Sequence, residues 1–156
     1  MKEKILEAFR DLGFKLEEEE GMGYCFNYEG LNLLYMYNEN DEEFLNIALP
    51  GIVEVESDNM LQICALLEKI NSTLKYVKTY MLGNSVWLFY ERELFGEEDL
   101  MTVISRMILH LEAGLVFARK AMAEIEETMT NGSSDDTTDG AEEIATEEIA
   151  DDDDNE

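Results

Sequence analysis

The sequence predicts an α+β domain: three helices and an antiparallel five-stranded sheet, in the order α-β-β-β-α-β-β-α. Three observations predict it. Apolar residues recur every three or four positions in three segments, the mark of a helix with one buried face. Five short runs are rich in aromatic and aliphatic residues with period-two alternation, the mark of strands. Glycine, proline and asparagine fall between those runs as turn signals.

Ile5, Leu6, Phe9 and Leu12 carry the first helix, and Gly13 stops it. Phe14 to Glu20 reads as an acidic connector. Met22, Tyr24, Phe26 and Tyr28 alternate along the first strand, Glu29-Gly30 turns the chain, and Leu31 to Tyr37 forms the second strand. Asn38 to Glu42 is a polar turn; Phe44 to Leu49 is the third strand, ended by Pro50-Gly51. Ser57-Asp58 offers an N-cap for a helix carrying Met60, Leu61, Cys64, Leu67 and Ile70, broken at Asn71 to Leu74. Tyr76 to Leu82 and Ser85 to Glu91 flank the hairpin pair Gly83-Asn84. The last helix starts near Gly96, where Glu97, Glu98 and Asp99 suit its positive end. Its apolar stripe steps through Leu100, Ile104, Met107, Leu111, Leu115, Ala118, Met122, Ile125 and Met129.

The 156 residues are enough for one core. With 37 acidic residues against 11 basic, the formal net charge is −26. Such a chain is repelled by phosphate backbones and by anionic lipid, so neither nucleic acid nor membrane is an expected partner. No window approaches the ~18 apolar residues of a membrane span. Met1 to Ile5 opens directly into the amphipathic pattern, without an apolar signal region. The two cysteines are too few for a disulfide framework. Cytoplasmic placement is the expectation. Residues 131–156 hold twelve acids, no base and no aromatic, and read as a disordered acidic tail. Residues 1–130 are the domain.

Little in the sequence carries reaction chemistry. Gly21-Met22-Gly23 lacks the third glycine and the following helix of a phosphate loop. Asp135 to Gly140 begins like a calcium loop, but position twelve is Thr146. His110 has no companion ligand and reads as a semi-buried structural histidine; Cys25 and Cys64 read as inert buried thiols. Glu17 to Glu20 reads as a solvated face. No catalytic, cofactor-binding or metal-binding residue is assigned, and the chain is read as non-enzymatic.

Strand parity points instead to a binding surface. One parity set is mainly aliphatic: Leu34, Met36, Leu45, Ile47, Leu49, Val77, Met81, Val86 and Leu88, with Tyr90. The other collects ten aromatics, among them Tyr35, Tyr37, Tyr76, Tyr80, Trp87 and Phe89. If the helices cover the aliphatic set, those six are the candidate partner-binding residues. Each aromatic buries ~150–250 Å². Several together match or exceed the ~300–600 Å² of a monomer's largest apolar patch, so a subunit, a peptide or a helix should cover them. The alternative, that one of the chain's own helices covers this set as core, stays open.

The segments LNLLYMY, FLNIALPGIVEV, LLEKINSTLKYVKTYML and SVWLFYEREL, with the helix around DLMTVISRMI, resemble the YbjN-like family of candidate sensory-transduction regulators. Asn71, closing the second helix before an aromatic-rich strand, is part of the likeness. The element order, acidity and closing helix resemble the type III secretion chaperone-like fold. The resemblance implies non-enzymatic work by a cytoplasmic bacterial homodimer that holds an extended client segment on apolar patches. A basic client suits the charge. Two rivals remain: a regulator binding a small ligand between the sheet and the last helix, and sequestration of basic proteins by the acidic tail.

Overall fold

The side chains Ile5, Leu6, Ala8 and Phe9 are buried along one side of α1 (Lys2–Asp11), as their spacing requires. In this computed structural model, which describes residues 1–132, the helix ends in a Schellman motif. Phe14 N–H donates to Phe9 O, and Gly13 N–H donates to Arg10 O. The Phe9 and Phe14 rings meet edge to face at 6.1 Å, the apolar contact that seals such a cap. Gly13 sits at φ +88°, the left-handed conformation the motif needs.

The next segment corrects the expected strand count. Glu17–Glu19 is not connector but strand β1, and the sheet has six strands rather than five. Its three side chains are all exposed, so no apolar alternation marks it; it is held by backbone pairing to β2 (Gly23–Tyr28). β3 (Leu31–Met36) and β4 (Phe44–Glu54) follow, then α2 (Met60–Thr73), β5 (Val77–Leu82), β6 (Ser85–Glu93) and α3 (Leu100–Gly132). The sheet is antiparallel throughout, in the order β1-β2-β3-β4-β6-β5.

β4 does not stop at Pro50-Gly51. Leu49 pairs with Leu88 and Val53 with Val86, so residues 50–52 bulge opposite the single residue Trp87. The proline, which has no N–H for the ladder, sits where the ladder is already interrupted. β2 opens on a glycine, Gly23, for a steric reason. A Cβ there would lie 2.0 Å from the Tyr35 carbonyl oxygen, a backbone atom that cannot step aside.

α2 buries Ile63, Leu66 and Ile70, whereas Leu61 is 70% exposed and Cys64 is exposed. Met60 to Leu67 is apolar nearly all round, so spacing alone does not choose its inner face. Its N-cap is Asn59, not Ser57 or Asp58. α3 follows the expected stripe: Ile104, Met107, Leu111, Leu115 and Ala118 are buried, and Met122 and Ile125 pack at the core's margin. Asp99 caps it, accepting from the N–H groups of Met101 and Thr102. By length and composition α3 could cross a membrane, with mean hydropathy 1.5 over 18 residues. The helix length matches the expected stripe, whereas a membrane-length apolar stretch was not expected; the buried side of the helix closes the core against the sheet.

Among the described residues all three helices pack on one face of the sheet. Their side chains join Phe26, Leu33, Tyr35, Leu45, Ile47 and Leu88 in the main core. Asn131 and Gly132, expected to begin the tail, are the last residues of α3. The rest of that tail, with the calcium-loop-like segment, lies outside the described residues.

Candidate functional site

The cross-strand register decides which side chains share a face. Tyr35 pairs with Ile47 and Ile47 with Tyr90, on the helix side. Leu34 pairs with Ala48 and Ala48 with Phe89, on the opposite side. The aromatic set expected on one face is therefore divided. Leu34 and Met36, expected beneath the helices, lie on the open face. Parity holds within each strand, but the phase between strands is set by the turns, which the pattern does not reveal.

Tyr35 is a core residue, 1% exposed, with its ring 5.6 Å from Phe9 of α1. Burial pushes its hydroxyl well above the ordinary tyrosine range. Tyr37 lies beside it, donating to Glu42 at 2.8 Å, with Lys2 Nζ 4.4 Å from its ring centre. Tyr76 is 66% exposed but belongs to the helix side. It stacks on Tyr90 at 5.7 Å and meets His110 of α3 edge-on at 5.3 Å. Of the six candidates, the structure brings Tyr80, Trp87 and Phe89 together on the open face and separates the other three from them.

Phe89 is the centre of that group and is fully buried. The Tyr80 ring lies over it at 4.1 Å and 3° from parallel; Trp87 follows at 6.0 Å. Tyr80 and Trp87 are direct cross-strand partners, the pairing in which aromatics reinforce a sheet. Trp87 Nε1 donates to Ser85 Oγ at 2.9 Å, so its polar edge is satisfied. Among the described residues no helix side chain joins the buried cluster of Leu34, Ala48 and Phe89; Cys25, Met36 and Trp87 shield it instead. Tyr80 is 39% and Phe44 44% exposed.

Acidic groups frame this apolar floor. On β6, Glu91 forms an ion pair with Lys78 and accepts from Asn46 Nδ2 at 2.9 Å. Asn46 Oδ1 is buried and finds no donor among the described residues. Burial, then Glu91, raises the Tyr80 hydroxyl pKa. On β1, Glu17 stands opposite Cys25 and Glu19 opposite Gly23. Burial first, then Glu19 and Glu17, raises the Cys25 thiol pKa. A cavity of about 670 Å³ lies here, lined by Glu17, Glu19, Cys25, Asn27 and Asn32 among others. Neither the all-acidic Glu17–Glu19 nor the lone Asn46 carries an apolar alternation, so spacing does not reveal these polar neighbours. Phe44 was visible only as one aromatic among ten.

The remaining candidates do not build a reaction site. His110 is half-buried and its Nδ1 donates to Arg106 O at 2.7 Å, a structural bond within α3. Cys64 is exposed and Cys25 half-buried, against the expectation that both are buried. Among the described residues no three His, Cys, Asp or Glu side chains converge as metal ligands. Between β4 and α3 lies an apolar dent of about 210 Å³, lined by Ile52, Val53, Leu115 and Met122 with Arg119 and Glu126.

No protein-family profile matches the chain, and no curated protein matches it. Solved structures do. The chain is similar to YbjN from E. coli, described as a candidate transcription regulator, at 14% identity and a TM-score of 0.59, covering 77% of this chain and 92% of that one. It is also similar to an uncharacterized protein from Methanothermobacter thermautotrophicus at 18% identity and a TM-score of 0.50, covering 81% and 97%. The chain has a YbjN-like fold.

Proposed function

We propose that this YbjN-like domain is a non-enzymatic, chaperone-like binding module that holds a protein or peptide partner on the open face of its sheet. The observation that carries the proposal is the Tyr80–Phe89–Trp87 stack, which has no helix over it among the described residues. Its accessible members are Tyr80, 39% exposed, and the half-buried Trp87, whose indole N–H is satisfied; tyrosine and tryptophan are the side chains that most often anchor protein interfaces. Shape supports the reading too: a broad sheet face accepts an extended segment. A regulator, as YbjN is described, can act through the same surface by holding a protein partner.

A small-ligand sensor between sheet and last helix has weaker support. The dent there, about 210 Å³, falls below the ~300–1,000 Å³ of ordinary ligand pockets. The proposed setting is cytoplasmic. The proposed assembly is a homodimer formed through another surface, since two copies of this face would set like charges against each other. Sedimentation as a strict monomer at high micromolar concentration would remove the dimer.

The direct test is a holding assay with the full chain and an unfolded, aggregation-prone polypeptide. Wild type delays aggregation, and the Trp87→Ser, Tyr80→Ser double variant, still folded, loses the delay. Equal protection by the folded double variant would refute the open face as the holding surface.

A further inference from the structure

The charge on the open face is distributed in a way that selects its occupant. A buried apolar row of Phe89, Ala48 and Leu34 crosses the strands beneath this face, from the exposed Tyr80 on β5 to the half-buried Cys25 on β2, with Met36 and Trp87 packed against it. It ends on Glu17, directly opposite Cys25, with Glu19 two residues along the same acidic edge. Among the described residues the one base along this row is Lys78, and Glu91 already pairs with it. The chain itself shows what this edge accepts: Lys15 Nζ reaches Glu17 Oε1 at 2.8 Å while both side chains stay largely exposed. An exposed pair of this kind is weak and exchangeable, so an incoming ammonium or guanidinium meets little resistance.

We infer that the open face takes an extended polypeptide segment with aromatic or aliphatic side chains at one end and a lysine or arginine at the other. This rests on the proposed function and names the chemistry of its partner. The apolar end covers Tyr80 and Trp87, which lie against the buried Phe89 ring, and the cationic end reaches Glu17 and Glu19. From β5 to β1 the sheet has five strand spacings, about 24 Å at ~4.8 Å each, which about seven extended residues span. Charge complementarity excludes the chain's own acidic residues 133–156 as the occupant, and it disfavours a second copy of the same face.

The experiment uses the full chain and its own fluorophore, since Trp87 is the sole tryptophan. Three seven-residue peptides are titrated at low and high salt. Each carries Phe and Leu at one end; the other end carries two lysines, two serines or two glutamates. The lysine peptide is expected to shift Trp87 emission and bind roughly tenfold tighter than the serine peptide, with the glutamate peptide weakest. High salt should erase that ranking. A Glu17→Gln, Glu19→Gln variant should bind the lysine peptide as weakly as the serine peptide while its own emission stays unchanged. Equal binding of lysine and serine peptides overturns the basic partner and leaves the holding face standing. Binding without any change in Trp87 emission places the peptide on the acidic tail and overturns the inference. A peptide-independent emission shift that grows with protein concentration overturns it in favour of a second copy. Failure of every peptide to bind overturns both the inference and the proposed function.

Discussion

Asn71 and Thr79 are joined by two hydrogen bonds that use both ends of one amide: Asn71 Nδ2 donates to the Thr79 carbonyl at 3.0 Å, and the Thr79 N–H donates to Asn71 Oδ1 at 2.9 Å. β5 is an edge strand, and an unpaired edge invites pairing with other chains. Here the last turn of α2 supplies a side chain that imitates one residue of a neighbouring strand. Two net hydrogen bonds are worth about 1–3 kcal/mol together. Asn71→Ala is expected to lower stability by that amount in denaturant titration and to speed amide exchange at Thr79. Asn71→Asp, which keeps the acceptor and loses the donor, should fall between. Unchanged exchange at Thr79 would contradict this role.

Tyr35 and Tyr80 should respond differently to the same truncation. Tyr35 is 1% exposed against Phe9, so Tyr35→Ala is expected to cost about 3–5 kcal/mol. Tyr80 is 39% exposed and its loss removes mainly one stacked contact, so Tyr80→Ala should cost about 1–2 kcal/mol. Equilibrium unfolding of the two variants decides it; equal losses would mean that the open face is structural core.

Tyr76 adopts φ +68°, a region that bulky L-residues avoid. The backbone pays ~1–2 kcal/mol there, which only glycine escapes. Both Tyr76→Gly and Tyr76→Ala lose the stack on Tyr90, so their difference isolates the backbone term. The glycine variant should be the more stable by about 1 kcal/mol, reversing the usual order. A more stable alanine variant would rule out the strain.

Glu98 accepts hydrogen bonds from the Phe95 N–H at 2.8 Å and the Gly96 N–H at 2.9 Å, and it pairs with Arg92 at 3.3 Å. The backbone bonds, that from Phe95 first, hold its carboxyl below the ordinary 4.5. A depressed folded-state pKa adds stability above the ordinary value and loses it as pH falls through the depressed one. The melting temperature of wild type should therefore exceed that of Glu98→Gln above pH 4.5, and the gap should close as pH falls further. Comparing the two proteins cancels the larger effect of neutralising the other acids. A gap independent of pH would contradict the assignment.

The helices were legible because Ile5 to Phe9 and Ile104 to Ala118 each bury one continuous stripe, which spacing alone reveals. β1 was not legible, because Glu17–Glu19 contributes backbone bonds and no apolar side chain. α2 was placed but rotated, since Leu61, Ile63, Cys64 and Leu66 offer two competing faces. The site was half legible. Tyr80, Trp87 and Phe89 lie on consecutive strands joined by a two-residue turn, so their common face follows from short-range register. Assigning Tyr35 and Tyr37 to that face required the register between β3, β4 and β6, which depends on the bulge at residues 50–52 and on tertiary packing.

The central claim is that the sheet face away from the helices, and not the helix side, receives the partner. Tyr80 and Tyr76 separate the two, being exposed tyrosines on opposite sides. Calorimetric titration of the lysine-bearing peptide into Tyr80→Ser and Tyr76→Ser is the measurement. The account predicts roughly tenfold weaker binding for Tyr80→Ser and unchanged binding for Tyr76→Ser. Loss of binding in Tyr76→Ser with wild-type affinity in Tyr80→Ser would contradict it.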